Sequence, residues 1–261
     1  MSVSVKRKQI IQDLLNAEGS VQVAALAHSL SVSEMTIRRD LSELEKIGIL
    51  KRNHGGAVKE LSRSYEPPFA LRRQNYLREK QLIAQEAIRF VSEGDTIAID
   101  SGTTAIEFAM LLMDYHNLTI VTPSLHIAML FLAHPTIKVI VSGGEVRKKE
   151  GSLVGAYTKL FFDNLYFDSF FMSSAGISSE VGLSEYIIED ATIKNLIMSH
   201  AKNTIALMTS DKFEITTFAR VCRLEDITIL ITDKEPEMTL RQILTTYNIE
   251  IRVAKTQGEK L

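Results

Sequence analysis

Hydrophobic and polar residues follow a helical period over most of the first fifty residues. Apolar positions three and four apart predict a helix over Lys6–Asn16 and a short second helix over Ala24–Leu30. A third helix is predicted from Ser33, whose side chain suits an N-cap, to about Ile47. Gly48 then ends it, because glycine accepts the backbone conformations that close a helix. Three closely spaced helices are therefore expected at the start of the chain.

A β-hairpin is predicted directly after the third helix. Ile49–Arg52 and Ala57-Val58 flank Asn53-His54-Gly55-Gly56, which is a turn-forming sequence. The segment Val21–Val23 indicates a further, very short strand between the first two helices. Three helices followed by a hairpin predict a small N-terminal domain over residues 1–59.

The pattern changes after residue 94, where short apolar runs alternate with helical segments. Such alternation is typical of buried parallel strands in βαβ units. The predicted strands are Thr96–Ile99, Leu118–Val121, Lys138–Val141, Ser169–Met172, Thr204–Met208, Ile227–Ile231 and Ile249–Val253. The prediction is an α/β fold in which residues 80–261 form an open, mostly parallel α/β domain. A linker over residues 60–79, interrupted at Pro67-Pro68, joins it to the N-terminal domain.

Composition and charge narrow the classes of protein. No apolar run is long enough to span a membrane and the first residues do not resemble a secretory signal, so we expect a cytoplasmic protein without membrane contact. The single cysteine, Cys222, excludes an intramolecular disulfide and a multi-cysteine zinc site. No metal or other cofactor is expected.

The two predicted domains differ in charge. Residues 1–59 carry nine Lys and Arg against six Asp and Glu, a net charge of +3, and the remaining residues carry 21 against 26, a net charge of −5. This distribution fits an N-terminal domain that meets phosphate, but a difference this small also arises by chance.

The third predicted helix has an apolar and a polar face. Its apolar residues form one stripe at 3.6 residues per turn, namely Ile37, Leu41, Leu44 and Ile47. Arg can bind guanine edges or phosphates, and Thr can contact phosphate or a thymine methyl, so the opposite face suits the major groove of DNA. That face and its flanks carry Met35, Thr36, Arg38, Arg39, Ser42 and Lys46.

The hairpin would serve as a wing beside this helix, with Lys51, Arg52 and His54 near the DNA backbone or minor groove. The alternative is a plain three-helix bundle whose exposed arginines pair with nearby acids, namely Arg38 and Arg39 with Asp40, Glu43 or Glu45. Periodicity by itself leaves both interpretations open.

The clearest local chemistry in the second domain is Asp100-Ser101-Gly102-Thr103-Thr104, which follows a predicted strand and begins a helix. Backbone N–H groups at a helix N-terminus, together with hydroxyl groups, favour an anion such as phosphate. A tight turn with a threonine cap explains the same residues equally well.

Further polar residues follow other predicted strands. Parallel strands bring their carboxyl ends to one edge of a sheet, which is where open α/β sheets bind ligands. Two later lysines could pair with phosphate or simply lie exposed. These additional candidates are Thr122, Ser124, Gly143, Gly144, Ser173, Gly176, Lys194 and Lys212. Together they favour a polar, phosphorylated ligand.

Residues 6–58 resemble the N-terminal domain of the DeoR family of bacterial transcription regulators. The matching residues, which include the pattern SxxTIRRDLxxLxxxGxLxRxHGGA, are Arg7, Ile10, Val32–Leu41, Leu44, Gly48 and His54–Ala57. The resemblance implies a winged helix-turn-helix that binds a double-stranded DNA operator through Thr36, Arg38 and Arg39. It also implies that Asp40 braces the arginines and that His54-Gly55-Gly56 shapes the wing tip. The full predicted DNA-contact set is Ser33, Met35, Thr36, Arg38, Arg39, Ser42, Arg52 and His54.

Residues 80–235 resemble the sensor domain of the same family, which binds phosphorylated sugars and shares its fold with ribose-5-phosphate isomerase. The matching segments are Gly94-Asp95, Asp100–Thr104, Gly143-Gly144, Gly155, Gly176-Ile177, Gly182–Ser184, Lys194 and Lys212-Phe213. With the N-terminal domain, the likeness covers nearly all of the chain. It implies effector contacts from Asp100, Gly102, Thr103, Thr104 and Lys212, and we expect Asp100 to accept hydrogen bonds from sugar hydroxyls.

Three positions depart from the family pattern. Pro123 stands where the family usually has Asn, Thr209 where it usually has an acidic residue, and Asp190 where it usually has Glu. Asp190 still permits an ion pair with Lys194 one helical turn later. The first two lie near the expected ligand and indicate a different sugar phosphate or a weakened response.

The resemblance implies a regulator, most often a repressor, that leaves its operator when a sugar phosphate binds. A homo-oligomer, dimer or tetramer, is expected because one recognition helix needs a partner for a high-affinity site.

The alternative from another class is a sugar-phosphate isomerase fused to a DNA-binding domain. Those isomerases carry Asp-Gly-Ala-Asp, whereas the comparable segment here, Ser173–Gly176, has no carboxylate for acid–base chemistry. We therefore expect no enzyme activity. The third possibility is a regulator that has lost its ligand and is controlled by a protein partner.

Overall fold

The computed structural model describes residues 3–46, 49–59 and 63–255. The chain forms two compact units, Met1–Asn75 and Tyr76–Leu261, and each is described by itself. Ile47 and Gly48, where the sequence predicts the end of the third helix, lie outside the described residues, as do residues 60–62 of the predicted linker.

The first unit contains four helices and a small antiparallel sheet within its described residues. Its elements are α1 (Val3–Glu18), β1 (Ser20–Gln22), α2 (Val23–Ser29), α3 (Glu34–Lys46), β2 (Leu50–Arg52), β3 (Gly56–Lys59) and α4 (Phe69–Gln74). The strand order is β1-β3-β2. Ile11, Leu15, Ile37 and Leu41 are buried in a core to which α1 and α3 both contribute. The predicted helices and hairpin are thus confirmed, whereas α4 occupies part of the predicted linker.

The turn between α2 and α3 is tight. Ser31 has a φ of 52°, in the left-handed region, and Ser33 closes the turn as an N-cap. Ser33 Oγ accepts a hydrogen bond from the N–H of Thr36 at 3.2 Å, which confirms the cap predicted from the sequence. Two helices joined in this way, followed by the β2–β3 hairpin, form a winged helix-turn-helix.

Gly56 lies where β3 approaches β1 most closely. The two strands pair with Gln22 opposite Gly56, and a Cβ atom on Gly56 would lie 1.9 Å from the carbonyl oxygen of Val21. A side chain larger than hydrogen cannot be accommodated there unless the backbone moves. The neighbouring Gly55 has no such restriction, because a Cβ there would meet nothing within 4 Å.

We expect Gly56→Ala to destabilise the first unit by about 1–3 kcal/mol, because the added methyl group would overlap backbone atoms that cannot rotate away. Gly55→Ala is the matched control and should change the free energy of unfolding by less than about 0.5 kcal/mol. Urea denaturation of both variants measures the difference. Equal stabilities would contradict the close approach of β1 and β3.

The second unit is an α/β domain built on a seven-stranded sheet. Its helices are α5 (Leu77–Ala87), α6 (Thr103–Leu111), α7 (Leu125–Leu130), α8 (Ala156–Phe162), α9 (Ile188–Ser199) and α10 (Met238–Thr246). Its strands are β4 (Thr96–Ile99), β5 (Thr119–Thr122), β6 (Lys138–Val141), β7 (Glu145–Arg147), β8 (Ser152–Val154), β9 (Phe167–Met172), β10 (Gly176–Ser178), β11 (Gly182–Glu185), β12 (Ala201–Met208), β13 (Ala219–Cys222), β14 (Ile229–Thr232) and β15 (Glu250–Val253).

The large sheet is parallel throughout and has the strand order β15-β14-β12-β9-β4-β5-β6. All seven strands predicted from the apolar runs are therefore confirmed. The chain moves from β4 to β5 and β6 on one side and then returns to β9 on the other side. The strand order consequently reverses between β4 and β9. In open α/β sheets the carboxyl ends of the strands at such a point form the ligand-binding crevice.

Two smaller antiparallel sheets, which the sequence did not predict, lie beside the large one. One contains β10, β11 and β13, and the other is the β7–β8 ribbon. These strands are only three or four residues long, too short to produce a clear alternation in the sequence. None of the described helices combines the length and the apolar character needed to cross a bilayer.

Candidate DNA-binding surface and ligand site

Helix α3 packs against the first unit by one side and leaves the other side open. Ile37, Leu41 and Leu44 are fully buried. All eight residues predicted to contact DNA are at least partly open to solvent. Ser33, Met35, Arg38, Arg39, Arg52 and His54 are exposed, and Thr36 and Ser42 are half-buried. This is the arrangement that a recognition helix and wing require.

Asp40 does not brace the arginines beside it, and that prediction is wrong. Its side chain is fully buried and accepts hydrogen bonds from Nε and from Nη2 of Arg7 in α1, the latter at 3.1 Å. Adjacent residues of a helix point in different directions, so Asp40 faces the core while Arg39 faces solvent. The hydrogen bond that Arg7 donates to Asp40 raises the pKa of Arg7. The Arg7–Asp40 pair therefore fixes the rotation of α3 against α1.

The other acids near the arginines are bonded elsewhere as well. Glu43 pairs with Lys8 of α1, and Glu45 accepts a hydrogen bond from the N–H of Arg52 at 2.8 Å. These contacts argue against the bundle interpretation, in which Asp40, Glu43 and Glu45 would neutralise Arg38 and Arg39. Arg38 pairs with Glu34, one turn earlier, at 3.2 Å. Arg39 makes no hydrogen bond or ion pair with a described residue.

The loops that follow β4 and β9 are in direct contact at the point where the strand order reverses. Asp100 Oδ2 accepts hydrogen bonds from the N–H of Ser173 at 3.1 Å, from Ser173 Oγ at 3.2 Å and from the N–H of Gly102 at 3.2 Å. A Cβ on Gly102 would lie 1.8 Å from Ser173 Oγ. The sequence-predicted Asp100, Gly102 and Ser173 are thus brought together, but Asp100 is occupied by bonds within the protein.

Lys194 of α9 contacts both the β4 loop and the β9 loop. Its ammonium group lies 2.7 Å from the carbonyl oxygen of Ser173, 2.5 Å from Glu185 Oε1 and 3.1 Å from Asp100 Oδ2. Burial lowers the pKa of Lys194, but the attraction of the surrounding carboxylates outweighs it and raises that pKa above its ordinary value. Lys194 donates hydrogen bonds to Ser173 and Glu185 and forms an ion pair with Asp100, so it holds the loops in place.

Asp190 does not form the ion pair with Lys194 that its spacing along the helix permits. Asp190 forms its ion pair with Arg147 of β7, while Lys194 turns toward the two more deeply buried carboxylates. Burial raises the pKa of Asp190 to about 7 and outweighs the attraction of Arg147 and Lys194. Glu185 and Arg147 are not among the sequence candidates. Arg147 lies 43 positions from Asp190, and Glu185 lies on a strand while Lys194 lies on the following helix, so neither pair follows a helical or strand spacing.

The N-terminus of α6 lies beside these loops with its backbone donors unused by the helix. Gly102 is the N-cap and no described side chain caps the helix. The first N–H groups of a helix have no acceptor within it and carry a partial positive charge. Thr103 is buried here, whereas Ser101 is half-buried. This end of α6 therefore offers donors of the kind that an anion binds.

Three buried hydroxyl groups near the carboxyl ends of neighbouring strands have no hydrogen-bond partner among the described residues. They are Thr104 Oγ1, Ser142 Oγ and Ser152 Oγ. Thr104 lies in the first turn after β4 and Ser142 directly follows β6, while Ser152 forms a β-bridge with Ser124, after β5. A buried polar group without a partner costs about 1–3 kcal/mol. A bound polar molecule would satisfy such groups.

Several other predicted effector residues have bonds that explain them without a ligand. Thr122 Oγ1 donates to the carbonyl oxygen of Ile99 at 2.7 Å and accepts from the N–H of Ser124 at 3.0 Å. Ser124 Oγ caps α7 by accepting a hydrogen bond from the N–H of Ile127 at 3.3 Å. The assignment of Thr122 and Ser124 to the effector stays a prediction.

The remaining predicted effector residues lie elsewhere along the carboxyl edge of the large sheet. They are Gly143, Gly144, Gly176 and Lys212. Gly143 and Gly144 are exposed between β6 and β7. A Cβ on Gly176 would lie 2.2 Å from the carbonyl oxygen of Ile215, so close packing explains that glycine. Lys212 is half-buried in the turn after β12, the strand next to β9.

The two departures from the family pattern near the site are both buried. The carbonyl oxygen of Pro123 accepts a hydrogen bond from the N–H of Leu153 at 2.8 Å, so β8 covers the loop after β5. Thr209 begins the turn that carries Lys212 and accepts the Lys212 N–H at 3.1 Å. Within the described ranges, no cluster of three or more His, Cys, Asp or Glu side chains is arranged to hold a metal ion.

Comparison with known proteins agrees with both units. A family model described as the DeoR-like helix-turn-helix domain matches residues 7–62, and one described as the DeoR C terminal sensor domain matches residues 75–234. The HTH-type transcriptional regulator GolR of Listeria innocua is 32% identical over 250 residues, which are 96% of this chain and 98% of that protein. The glycerol-3-phosphate regulon repressor of Escherichia coli is 29% identical over 248 residues, 95% of this chain and 98% of that protein.

A further relative is the lactose phosphotransferase system repressor of Staphylococcus epidermidis, 32% identical over 226 residues that cover 85% of this chain and 89% of that protein. Among solved structures, ribose 5-phosphate isomerase A from Methanocaldococcus jannaschii matches with a TM-score of 0.40 and 16% identity over 53% of this chain and 55% of that chain. That similarity is too low to add to the strand order already described.

A winged helix-turn-helix joined to an α/β sensor domain defines a DNA-binding transcription regulator. The chain belongs to the DeoR family. The relatives named above are transcription regulators, so the isomerase alternative is not favoured and the protein is a regulator, not an enzyme.

Replacing Lys194 should destabilise the sensor domain strongly. We expect Lys194→Met to lower the free energy of unfolding by about 3–5 kcal/mol, because it leaves Asp100 and Glu185 buried without a cation. Lys202→Met removes an exposed lysine of β12 and should change stability by less than about 0.5 kcal/mol. Urea unfolding of both variants provides the measurement. A Lys194→Met protein as stable as wild type would refute the structural importance of this ion cluster.

Proposed function

We propose that the protein is a repressor that acts in the cytoplasm, binds its operator through α3 and the wing, and leaves it when a phosphorylated sugar occupies the sensor domain. Two of the named relatives support repression, since they are called the glycerol-3-phosphate regulon repressor and the lactose phosphotransferase system repressor.

The DNA side of this proposal rests on the open face of α3. Arg39 is exposed and makes no hydrogen bond or ion pair with a described residue, and Met35 lies one turn earlier on the same face. Lys51, Arg52 and His54 are exposed on the hairpin that forms the wing. Positive side chains on both elements suit phosphate contacts on either side of a groove, which would make operator affinity fall steeply with salt.

The observation that carries the effector side is the set of buried, unpartnered hydroxyls at Thr104, Ser142 and Ser152. They lie near the carboxyl ends of three adjacent strands, next to the N-terminus of α6. A sugar phosphate has both kinds of group that such a site needs, an anion for the helix N-terminus and several hydroxyls for hydrogen bonding. We assign the phosphate to the Ser101–Thr104 turn, with Lys212 as its countercharge.

This assignment changes the role expected of Asp100. Its Oδ2 atom is held by Ser173, Gly102 and Lys194, so sugar hydroxyls would meet the hydroxyls of Thr104, Ser142 and Ser152 instead. Asp100 and Lys194 then act as positioning residues that hold the β4 and β9 loops together. Glu185 shares the charge of Lys194 and belongs to the same group.

Repression further requires two recognition helices at a fixed spacing. We propose a homo-oligomer, a dimer or a tetramer, that presents paired wings to a two-fold symmetric operator. The sugar phosphate would favour an arrangement of the oligomer in which the two helices no longer fit successive turns of the DNA.

Arg39→Ala should weaken operator binding by about 1–3 kcal/mol if this arginine binds a base edge. Arg241→Ala, which removes an exposed arginine of the sensor domain, should leave the affinity unchanged. Fluorescence anisotropy on an operator selected from random duplexes, repeated over a range of salt concentrations, gives both affinities. Unchanged binding by a folded Arg39→Ala protein would remove Arg39 from the contact surface.

The effector is tested by thermal shift with glycerol 3-phosphate, glucose 6-phosphate and ribose 5-phosphate, each beside its unphosphorylated parent. At least one phosphorylated compound should raise the melting temperature and weaken operator binding, while its parent should do little. Thr103→Ala and Lys212→Ala should each weaken that ligand by about 1.5–3 kcal/mol, the value of a hydrogen bond to a charged group.

Lys202→Ala is the control, because this lysine is exposed on β12 and lies at the start of the strand, away from the carboxyl edge. Equal ligand affinities for wild type, Thr103→Ala and Lys212→Ala would place the effector elsewhere. A response to none of the wider set of phosphorylated hexoses and pentoses would favour a regulator controlled by a protein partner.

A further inference from the structure

Met35 is an apolar side chain that lies mostly in solvent. It is the second residue of α3 and is 74% exposed, whereas Ile37, Leu41 and Leu44 of the same helix are fully buried. An exposed methionine is ordinary on a protein surface. Met35 lies in the first turn of α3, the helix proposed to enter the major groove, so its environment changes when DNA binds.

The polar groups around Met35 are already bonded within the protein. Ser33 Oγ lies 3.0 Å from Thr36 Oγ1 and accepts the Thr36 N–H, so each of the two hydroxyls bonds the other. Arg38 is paired with Glu34. Met35 is therefore the apolar side chain that this turn leaves open to base edges, and Arg39 lies one turn later on the same face.

Met35 and Arg39 are four residues apart and lie above one another on the same face of α3. The first turn of a recognition helix usually provides base contacts. Met35 cannot donate a hydrogen bond, and its sulfur is only a weak acceptor. The apolar group that the major groove offers is the C5-methyl of thymine, which is absent from the other three bases.

We propose that Met35 determines part of the operator sequence by packing against the C5-methyl group of a thymine in each half-site, in the same groove that Arg39 enters. This inference rests on the proposed operator binding and adds a specific base to it. The contact removes the methyl group and the end of the methionine side chain from water together, which is favourable and requires no hydrogen bond.

The test uses the full chain and an operator selected from random DNA duplexes. Each thymine of the selected site is replaced singly by deoxyuridine, which removes only the C5-methyl group and keeps the hydrogen-bonding edge. At one thymine per half-site we expect wild-type affinity to fall about three- to fourfold, the effect of one buried methyl group. Met35→Ala should bind the thymine and deoxyuridine duplexes equally well at that position.

Met238→Ala is the matched control, because Met238 is 75% exposed and lies in the sensor domain. It should keep the full wild-type sensitivity to deoxyuridine. Met35→Leu retains an apolar side chain and should keep part of it. These comparisons separate a contact made by Met35 from a general effect of losing an exposed methionine.

The proposal is overturned if no thymine shows a larger deoxyuridine effect in wild type than in Met35→Ala, or if the selected half-site specifies no thymine. In both cases operator binding itself stands, so the two failures are distinguishable. If selection recovers no preferred duplex, the proposed operator binding fails and the thymine contact fails with it.

Discussion

The buried ion cluster of Lys194, Asp100 and Glu185 is the interaction on which the sensor domain depends most. It ties α9, the β4 loop and β11 together at the point where the strand order reverses. Three charges in a desolvated place are costly unless each has a partner, so none can be removed alone without a large loss of stability. The cluster also uses Asp100 Oδ2 as an acceptor within the protein. In the proposed binding mode the ligand is therefore contacted by the helix N-terminus and by hydroxyls farther along the edge.

In the DNA-binding unit, ion pairs between α1 and α3 likewise orient one element against another. Arg7 and Asp40 form a largely buried pair between α1 and α3, and Lys8 pairs with Glu43 nearby. These contacts occupy the acids of α3 that face the protein. The opposite face then presents Met35, which is largely exposed, and Arg39, which makes no hydrogen bond or ion pair with a described residue. In both units a buried ionic contact sets the orientation of an element, and the residues that remain unpaired face outward or line the proposed site.

The α/β topology and the regulator function are compatible because topology supplies only a crevice. The loop beyond β4 contributes the carboxylate of Asp100, the loop beyond β9 contributes hydroxyls, and β11 contributes the carboxylate of Glu185. Asp100 and Glu185 are, however, bonded to the same buried lysine. The function is that of the family to which the chain belongs, and it resides in the α3 surface and in the response of the sensor domain.

Sequence by itself determined the elements whose signal is local. The seven parallel strands, the three helices of the winged unit, the Ser33 cap and the exposed face of α3 all follow from apolar periodicity and turn chemistry. Only the tertiary structure decided which charges meet. Asp40 bonds to Arg7, 33 positions away, and Asp190 bonds to Arg147, 43 positions away, where spacing along a helix indicated nearer partners. Ion pairs of this kind depend on which segments the fold brings together and on how deeply it buries them. The local pattern of a sequence predicts neither the contacts nor the burial.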